Sequence, residues 1–420
     1  MRITLLTQHF APYFEGGTEF VARSQGRALA RRGHEVRVVS GTDRPHAGAD
    51  VLRETVDRLP VAFLPRLPGE SYDLELARPR IVELVEREAR GSTVLHLHHW
   101  STLAGNLVRA LGETAPVVVT LHDLFTTCPR YFRVPIETVE RCPEPGEFRT
   151  CARCCAPDAP GLSAQVLEAG LRERQRSYAA ELARAAHVVV PSASHRDHLA
   201  RFVDLPPERT SEVHHGLCAR ILPATGPVAL PYTGGTLRVL HLGHRTEVKG
   251  LRDLARAVAG LAGVELLFLG EELQPGFDRE LLREGGGTPM TFAGRYAVEQ
   301  LARRVAGLGG AHLAVFPSRV AESYGLVLDE ALALGLPVWV TDRGAPSERV
   351  GAAGSVLPAA DPAAWRSAFS SVLLRPDTLE RARRAVSGVR RTVDDAARDL
   401  EQLYRALLDR TPPTPSGDFR

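Results

Sequence analysis

The chain has 420 residues, of which 44% are hydrophobic and 24% charged, the composition of an ordinary soluble protein with room for two or three domains. Its 52 basic and 50 acidic residues leave a net charge of +2, which argues against a dedicated nucleic-acid binder, since such proteins carry a strong basic excess. No apolar run approaches the roughly eighteen residues of a membrane span. The N-terminal MRITLLTQHFAPY is too short in its apolar part for a signal peptide, so a cytoplasmic location is expected. In that reducing compartment the six cysteines are poor candidates for structural disulfides.

In chain order, the first half reads as short, continuously apolar strands: RITLLT, HEVRVVS, VAFLPR, TVLHLHH, PVVVTLHD, HVVVPS and TSEVHHG. Such runs suit strands buried on both faces of a parallel sheet. Helical stretches separate most of them. Residues 18–32 form one, with Val21, Ala22, Ala28 and Leu29 on one face and Gly33 at its end. Residues 219–235, ARILPATGPVALPYTGG, are rich in Pro and Gly and read as a linker. The alternation then restarts with LRVLHLGH, VELLFLG, MTFAGR, AHLAVFPS, LPVWVTD and GSVLP. The expectation is an α/β protein of two doubly wound, Rossmann-like domains, 1–218 and 236–390, facing a central cleft. A C-terminal helix over 391–411 and a disordered tail over 412–420 complete the chain.

Ligands of such sheets bind beyond the carboxyl ends of the strands, so the exit loops are where chemistry is sought. LGHRTEVKGL is one of them and holds Lys249, the only lysine of the chain. Arg245 and Lys249 together suit a phosphate or diphosphate, one as a planar fork and the other as a mobile point charge. A second exit loop lies in PSRVAESYGLVLDEALALGLPVWVTD. Glu322 and Glu330 are eight residues apart there, on nearly the same helical face if the helix begins early. Gly325 permits close backbone approach, and the N–H groups from Tyr324 to Leu326 open a helix, which favours an anion. Carboxylates beside an anion site fit one ligand class well. A nucleotide sugar offers a diphosphate to the cations and sugar hydroxyls to the carboxylates.

ESYGLVLDEA resembles the E-x7-E signature of the retaining family 4 glycosyltransferases, which have the GT-B arrangement of two Rossmann-like domains. EGGTE, LARRGHEVRVV, HLHHW, TLHD, VVVPS, VHHG, GHRTEVKG, FAGRY and FPSRVAESYG extend the resemblance over nearly the whole chain. It implies that Glu322 holds sugar hydroxyls and Glu330 the ribose, and that Arg245 and Lys249 neutralise the diphosphate with main-chain N–H groups near Gly325. It also implies that Gly16 and Gly17 approach the phosphate or acceptor and that His122 sits beside the sugar. Gly243, Arg295, Ser323, Tyr324 and Leu326 complete the donor set. One departure stands out: family members usually have Arg directly after the loop glycine, whereas here Gly243 is followed by His244 and Arg245 stands one position late. Whether Arg245 or Lys249 carries most of the charge is therefore open.

The function implied is retaining transfer of a sugar from a nucleoside-diphosphate sugar, a UDP-sugar first and a GDP-sugar second, to a hydroxyl acceptor. That acceptor is a small molecule, a glycan or a lipid-linked sugar, with membrane contact at most peripheral. The chain has no D-x-D triplet, and fixed cations with a helix terminus can stabilise the departing diphosphate without a metal cofactor. No carboxylate nucleophile is assignable, and the resemblance implies attack from the leaving-group face. An isomerase of the nucleotide-sugar 2-epimerase kind and a non-catalytic nucleotide-sugar binder are the alternatives. The ESYG loop argues against the first and the full motif set against the second.

Five cysteines fall between Cys128 and Cys155. Cys128, Cys142, Cys151 and Cys154 are spaced C-x13-C-x8-C-x2-C, with Cys155 as a substitute ligand. Four thiolates ending in C-x2-C suit a structural zinc. Unbridged buried thiols, disulfides or an iron–sulfur cluster are the other readings. His96, His98 and His99 follow a strand, and a structural or substrate role is preferred for them over a metal site.

Overall fold

In a computed structural model the described residues are 1–42, 51–65, 78–134, 142, 147–386 and 391–410. They separate into two compact units. One comprises the described residues of Met1–Arg133, Glu144–Cys218 and Val393–Arg420, and the other those of Val134–Pro143 and Ala219–Thr392. The tail expected to be disordered, 412–420, lies outside the described residues.

The first unit is built on eight strands: β1 (Arg2–Thr7), β2 (Glu35–Ser40), β3 (Leu52–Val56), β4 (Leu59–Phe63), β5 (Val94–Leu97), β6 (Val117–Thr120), β7 (His187–Val190) and β8 (Thr210–Glu212). Their order is β3-β4-β2-β1-β5-β6-β7-β8, and all pairs are parallel except β3–β4. The apolar runs of the sequence form every parallel strand. Sequence patterning missed β3: LRETV is half-exposed along its length, and only its antiparallel pairing with β4 makes it a strand.

Both faces of this sheet are covered. Ile3 and Leu5 of β1 belong to a core shared with Ala22, Ala28 and Leu29 of the helix Gly17–Arg31, and with Val393, Ala396, Ala397, Leu400 and Tyr404 of the C-terminal helix Val393–Arg410. Leu6 joins the opposite core with Leu95, Leu97 and Tyr178. Alternate side chains of a strand point to opposite faces, so a strand with two covered faces is apolar on both. The C-terminal helix therefore belongs to the first unit and not to the domain it follows in sequence.

The helix Ala164–Arg184 brings a carboxylate into the interior. Glu181 is fully buried and accepts hydrogen bonds from the backbone N–H of Val108 at 2.6 Å and from Arg109 Nε at 2.7 Å. It thereby serves as a cap, supplied from elsewhere in the chain, for the helix Leu107–Leu111, whose own N-cap residue Asn106 makes no side-chain cap.

The second unit has β9 (Leu237–Leu242), β10 (Val264–Leu269), β11 (Met290–Phe292), β12 (Leu313–Phe316), β13 (Val338–Thr341) and β14 (Gly354–Leu357). All are parallel, in the order β11-β10-β9-β12-β13-β14. This is the 3-2-1-4-5-6 order of a dinucleotide-type fold, whose direction reverses between β9 and β12. Leu237 and Val239 pack on one face with Phe268, Trp339, Trp365 and Phe369, while Leu240 and Leu242 pack on the other with Leu328 and Ala331. The loops leaving β9 and β12 thus emerge side by side at the reversal point. They are the two loops singled out by their lysine and glutamates.

Candidate functional site

In the second unit, β9 leads through Gly243 into a short turn, Glu247–Lys249, and the helix Leu251–Val258. Lys249 Nζ donates to Glu322 Oε1 at 2.6 Å, joining the loops after β9 and β12. The glycine after the lysine makes this approach possible. Gly250 has φ +70°, and a Cβ there would stand 1.8 Å from the Pro317 carbonyl oxygen. Gly250→Ala should therefore cost about 2 kcal/mol or more, through left-handed strain and a shift of backbone. Chemical denaturation should show the loss.

Ser318 Oγ also donates to Glu322 Oε1, at 3.1 Å. Burial pushes the Glu322 carboxyl up, but the Lys249 charge and the hydrogen bonds from Lys249 and Ser318 together hold it below its ordinary value. It is a carboxylate at neutral pH. Beneath the pair, burial lowers His241 to about 4, and its Nδ1 lies 3.0 Å from the Val315 carbonyl oxygen, so this ring is neutral.

The helix containing Glu330 begins later than the sequence spacing suggested. It spans Leu326–Ala333, with Gly325 at φ +76° as its N-cap. Glu322 lies before it, in extended backbone bridged to Gly344. The expectation that Glu322 and Glu330 share one helical face is corrected: a left-handed residue between them ends the extended segment and starts the helix. Glu330 is buried, and its Oε2 accepts the Tyr296 hydroxyl at 2.6 Å. Burial raises its carboxyl to about 7, against the opposing hydrogen bond from Tyr296. Of the neighbours, Tyr324 is buried, donates to Asp329 Oδ2 at 2.9 Å and stacks against Arg349. Leu326 is the first helical residue, and Ser323 lies in the segment leading to Gly325.

The two arginines of the expected donor set are placed differently. Arg245 is buried, and its guanidinium is consumed by Asp278, at 2.5 Å from Nε and 2.8 Å from Nη2, and by the Gly270 carbonyl at 2.7 Å from Nη1. In this arrangement Nε, Nη1 and Nη2 each make one bond that braces the β9 loop against its neighbours. Arg295 is 72% exposed in its side chain and pairs with Glu271 at 3.2 Å. Gly243 lies against the first turn of the Leu326 helix, where a Cβ would meet Val327 Cγ1 at 3.6 Å. Of the expected cations, only Lys249 is bonded to an expected carboxylate.

In the first unit, the β1 loop ends in Gly16, the N-cap of the helix that starts at Gly17. Gly16 N–H donates to Glu19 Oε2 at 2.9 Å, and Gln8 donates to Glu19 Oε1 at 3.0 Å. Glu19 is the buried carboxylate that shapes this glycine loop, and EGGTE shows it three residues after the first glycine, as a capping box.

The β5 and β6 exit loops bring histidines together. His98 Nδ1 and His122 Nε2 are 2.9 Å apart. The His96 and His98 rings lie 4.3 Å apart and the His122 and His215 rings 5.1 Å apart. His96 is bonded at both nitrogens, to Tyr404 at 2.6 Å and to Thr120 at 2.7 Å. His99 Nε2 stands 3.4 Å from Asp123 Oδ2. Burial, with mutual repulsion second, lowers His96 to about 3 and holds His98 and His122 well below the ordinary histidine value. HLHHW and TLHD mark the strand ends, but Tyr404 could not be found from sequence, since it arrives from some 300 residues away.

Residues 15–218 match the family model described as Glycosyltransferase Family 4, and residues 236–375 match the one described as Glycosyl transferases group 1. The chain belongs to the family 4 glycosyltransferases. Its fold is similar to sucrose-phosphate synthase from Thermosynechococcus elongatus, at 22% identity and TM-score 0.71, over 98% of this chain and 100% of that one. It is also similar to the catalytic domain of starch synthase IV from Arabidopsis thaliana, at 15% identity and TM-score 0.63, over 97% and 99%. A third similar structure is Anabaena HepE in complex with UDP, at 16% identity and TM-score 0.62, over 97% and 100%. No curated protein sequence matches the chain.

The cysteines of this glycosyltransferase do not support the expected zinc site. Among the described residues, which include all six cysteines, no group of three or more His, Cys, Asp or Glu side chains could hold a metal ion, and none of the six is disulfide-bonded. Cys142 groups with the second unit, whereas Cys128, Cys151, Cys154 and Cys155 group with the first. Three of these lie on the helix Phe148–Cys155, where Cys155 packs into an apolar cluster with Ala152, Leu167 and Leu171. Burial, with the neighbouring Cys128 and Cys154 adding to it, pushes the Cys155 thiol up to about 12, so it behaves as a core side chain. Among the described residues, no helix of the glycosyltransferase is long and apolar enough to cross a membrane.

Proposed function

We propose that this glycosyltransferase moves a sugar from a nucleoside-diphosphate sugar to a hydroxyl acceptor with retention of configuration and without a catalytic metal. The observation that carries the reading is the Lys249–Glu322 pair at the reversal point of the second sheet, next to the start of the Leu326 helix. An ammonium has three donors, and one is used by Glu322. The others are assigned to the diphosphate, together with N–H groups at the helix start. As the glycosidic bond to the leaving phosphate breaks, negative charge grows on the diphosphate, and a fixed cation and helix end stabilise it without reorganisation. Glu322 is assigned to sugar hydroxyls, Glu330 to the ribose, His122 to the transferred sugar, and Gly16 and Gly17 to the phosphate or acceptor. A UDP-sugar is the first choice of donor, supported by HepE, which is described in complexes with UDP and with UDP-glucose. The acceptor is assigned only as a hydroxyl compound.

A donor screen with product analysis tests this. Transfer from one sugar nucleotide in chelator-treated buffer, with the product anomer matching the donor anomer by proton NMR, is the expected result. An inverted anomer, or strict dependence on added divalent metal, would overturn the mechanism.

Glu330 makes nucleotide affinity pH-dependent. Its folded value of about 7 lies above the ordinary 4.5, so folding costs most above pH 7, where the buried group must ionise. Ribose hydroxyls donate best to the ionised form. UDP affinity should therefore rise several-fold from about pH 6 to pH 8 by calorimetry, and Glu330→Gln should flatten the profile and weaken binding by roughly 1–2 kcal/mol.

A further inference from the structure

The histidines of the first unit constrain one another's protons. His98 and His122 follow adjacent parallel strands, and both positions are anchored in the sheet, since His98 N–H donates to the Leu6 carbonyl at 2.8 Å and Leu121 N–H to the Val189 carbonyl at 2.9 Å. Both rings are buried. His98 is surrounded by His96 and His122, with His215 also acting on it. His122 faces His98 and His215, and His99 and His195 act on it from the loop after β5 and the helix Ala193–Leu199. No cation among these is compensated well enough to keep either ring charged at neutral pH.

The 2.9 Å contact is then a hydrogen bond between two neutral imidazoles, which requires one N–H and one bare nitrogen. Two arrangements satisfy it. If His122 donated from Nε2, His98 would carry its own proton on Nε2. That atom is buried and has no hydrogen-bond partner among the described residues, so an N–H would be stranded. His96 cannot accept it, because both of its nitrogens are already bonded to Tyr404 and Thr120. If His98 donates from Nδ1, only a lone pair is left without a partner at Nε2. Stranded buried N–H groups are the rarer of the two defects.

We infer that His98 is a positioning residue that locks His122 into the tautomer protonated at Nδ1, so that His122 acts in glycosyl transfer as a fixed hydrogen-bond donor and not as a general base. The Nε2 lone pair of His122 is occupied by the His98 N–H and cannot take a proton from an acceptor hydroxyl. The Nδ1–H is left to donate to an oxygen of the bound sugar. The inference rests on the role proposed above for His122, but its tautomeric half stands without it. The donor presented by His122 is thus set by a residue that need not touch substrate.

The test is nitrogen NMR of the full-length protein labelled with 15N-histidine and free of ligand, with the His122 signals assigned by their loss in His122→Gln. The expected spectrum has a protonated, pyrrole-type Nδ1 and a pyridine-type Nε2 on His122 at neutral pH. A protonated Nε2 overturns the inference. His98→Asn places an amide nitrogen where Nδ1 stands and should keep both the tautomer and most of the turnover. His98→Phe removes the donor and should mix the tautomers and lower kcat about tenfold, with the donor KM little changed. Equal loss in His98→Asn and His98→Phe would reduce His98 to a packing role and also overturn it. Should either variant fail to fold, the wild-type spectrum alone decides the tautomer. Full activity in His122→Gln would remove His122 from the proposed function while leaving the tautomer assignment intact.

Discussion

Lys249→Ala should lower kcat/KM for the donor by about 30- to 1000-fold, equivalent to roughly 2–4 kcal/mol of transition-state stabilisation. The size follows from what the side chain does. Arg245 is bound to Asp278 and Gly270, and the ammonium is the cation paired with the carboxylate Glu322. Its removal also leaves the Glu322 carboxylate with the Ser318 hydroxyl as its hydrogen-bond donor among the described residues, and the carboxyl should titrate higher. The stability that Glu322 contributes, present above the ordinary carboxyl value and lost as pH falls through its depressed folded value, should shrink in the variant. Lys249→Arg should restore only part of the activity, because a planar fork bound to Glu322 directs its remaining donors differently from an ammonium. Steady-state kinetics over a donor series check this. Near-normal kcat/KM in Lys249→Ala would sink the phosphate assignment and with it the main support for the proposed donor.

The largest loss of stability is expected away from the site. Glu181→Ala should destabilise the first unit by roughly 3–5 kcal/mol, the range for breaking a buried charged network by removing one partner. Its carboxylate takes the Val108 and Arg109 backbone N–H groups, Arg109 Nε and, at 3.4 Å, Trp100 Nε1. Alanine leaves these donors stranded at a helix start that has no other side-chain cap. Arg109 is 43% exposed in its side chain and can turn to water, so the backbone donors carry most of the loss. In a thermal scan the first transition should fall by about 10 °C. Glu181→Gln, which keeps one acceptor oxygen, should lose less. An unchanged transition in Glu181→Ala would show that water replaces the carboxylate at no cost.

Local pattern was enough to read the strands and their loops. A strand covered on both faces is mostly apolar, with a buried polar side chain such as His96 hydrogen-bonded, and this is why β1, β5, β6, β9 and β12 stand out in one dimension. The residues after them are then the exit loops, so the positions of Lys249 and Glu322 in the loops after β9 and β12 were legible, as was the Gly16 turn. Where patterning failed, the deciding interaction joined distant segments. The polar strand β3 exists through its pairing with β4. The helix start at Gly325, and hence the separation of Glu322 from Glu330, depends on the left-handed glycine and the bridge to Gly344.

The sequence by itself determined the two alternating blocks, the parallel sheets and which loops bear charge, because burial periodicity and turn chemistry are properties of neighbouring residues. Only the tertiary structure decided what each charged group is bonded to. Arg245 is spent on Asp278, 33 residues on, Glu330 is held by Tyr296, and Lys249 meets Glu322 across 73 residues. The thiol spacing that suggested zinc finds no support in the fold, since among the described residues no three potential ligands converge on one point. A buried polar group must find a partner somewhere, and the chain order does not say which one the fold will bring within 3 Å.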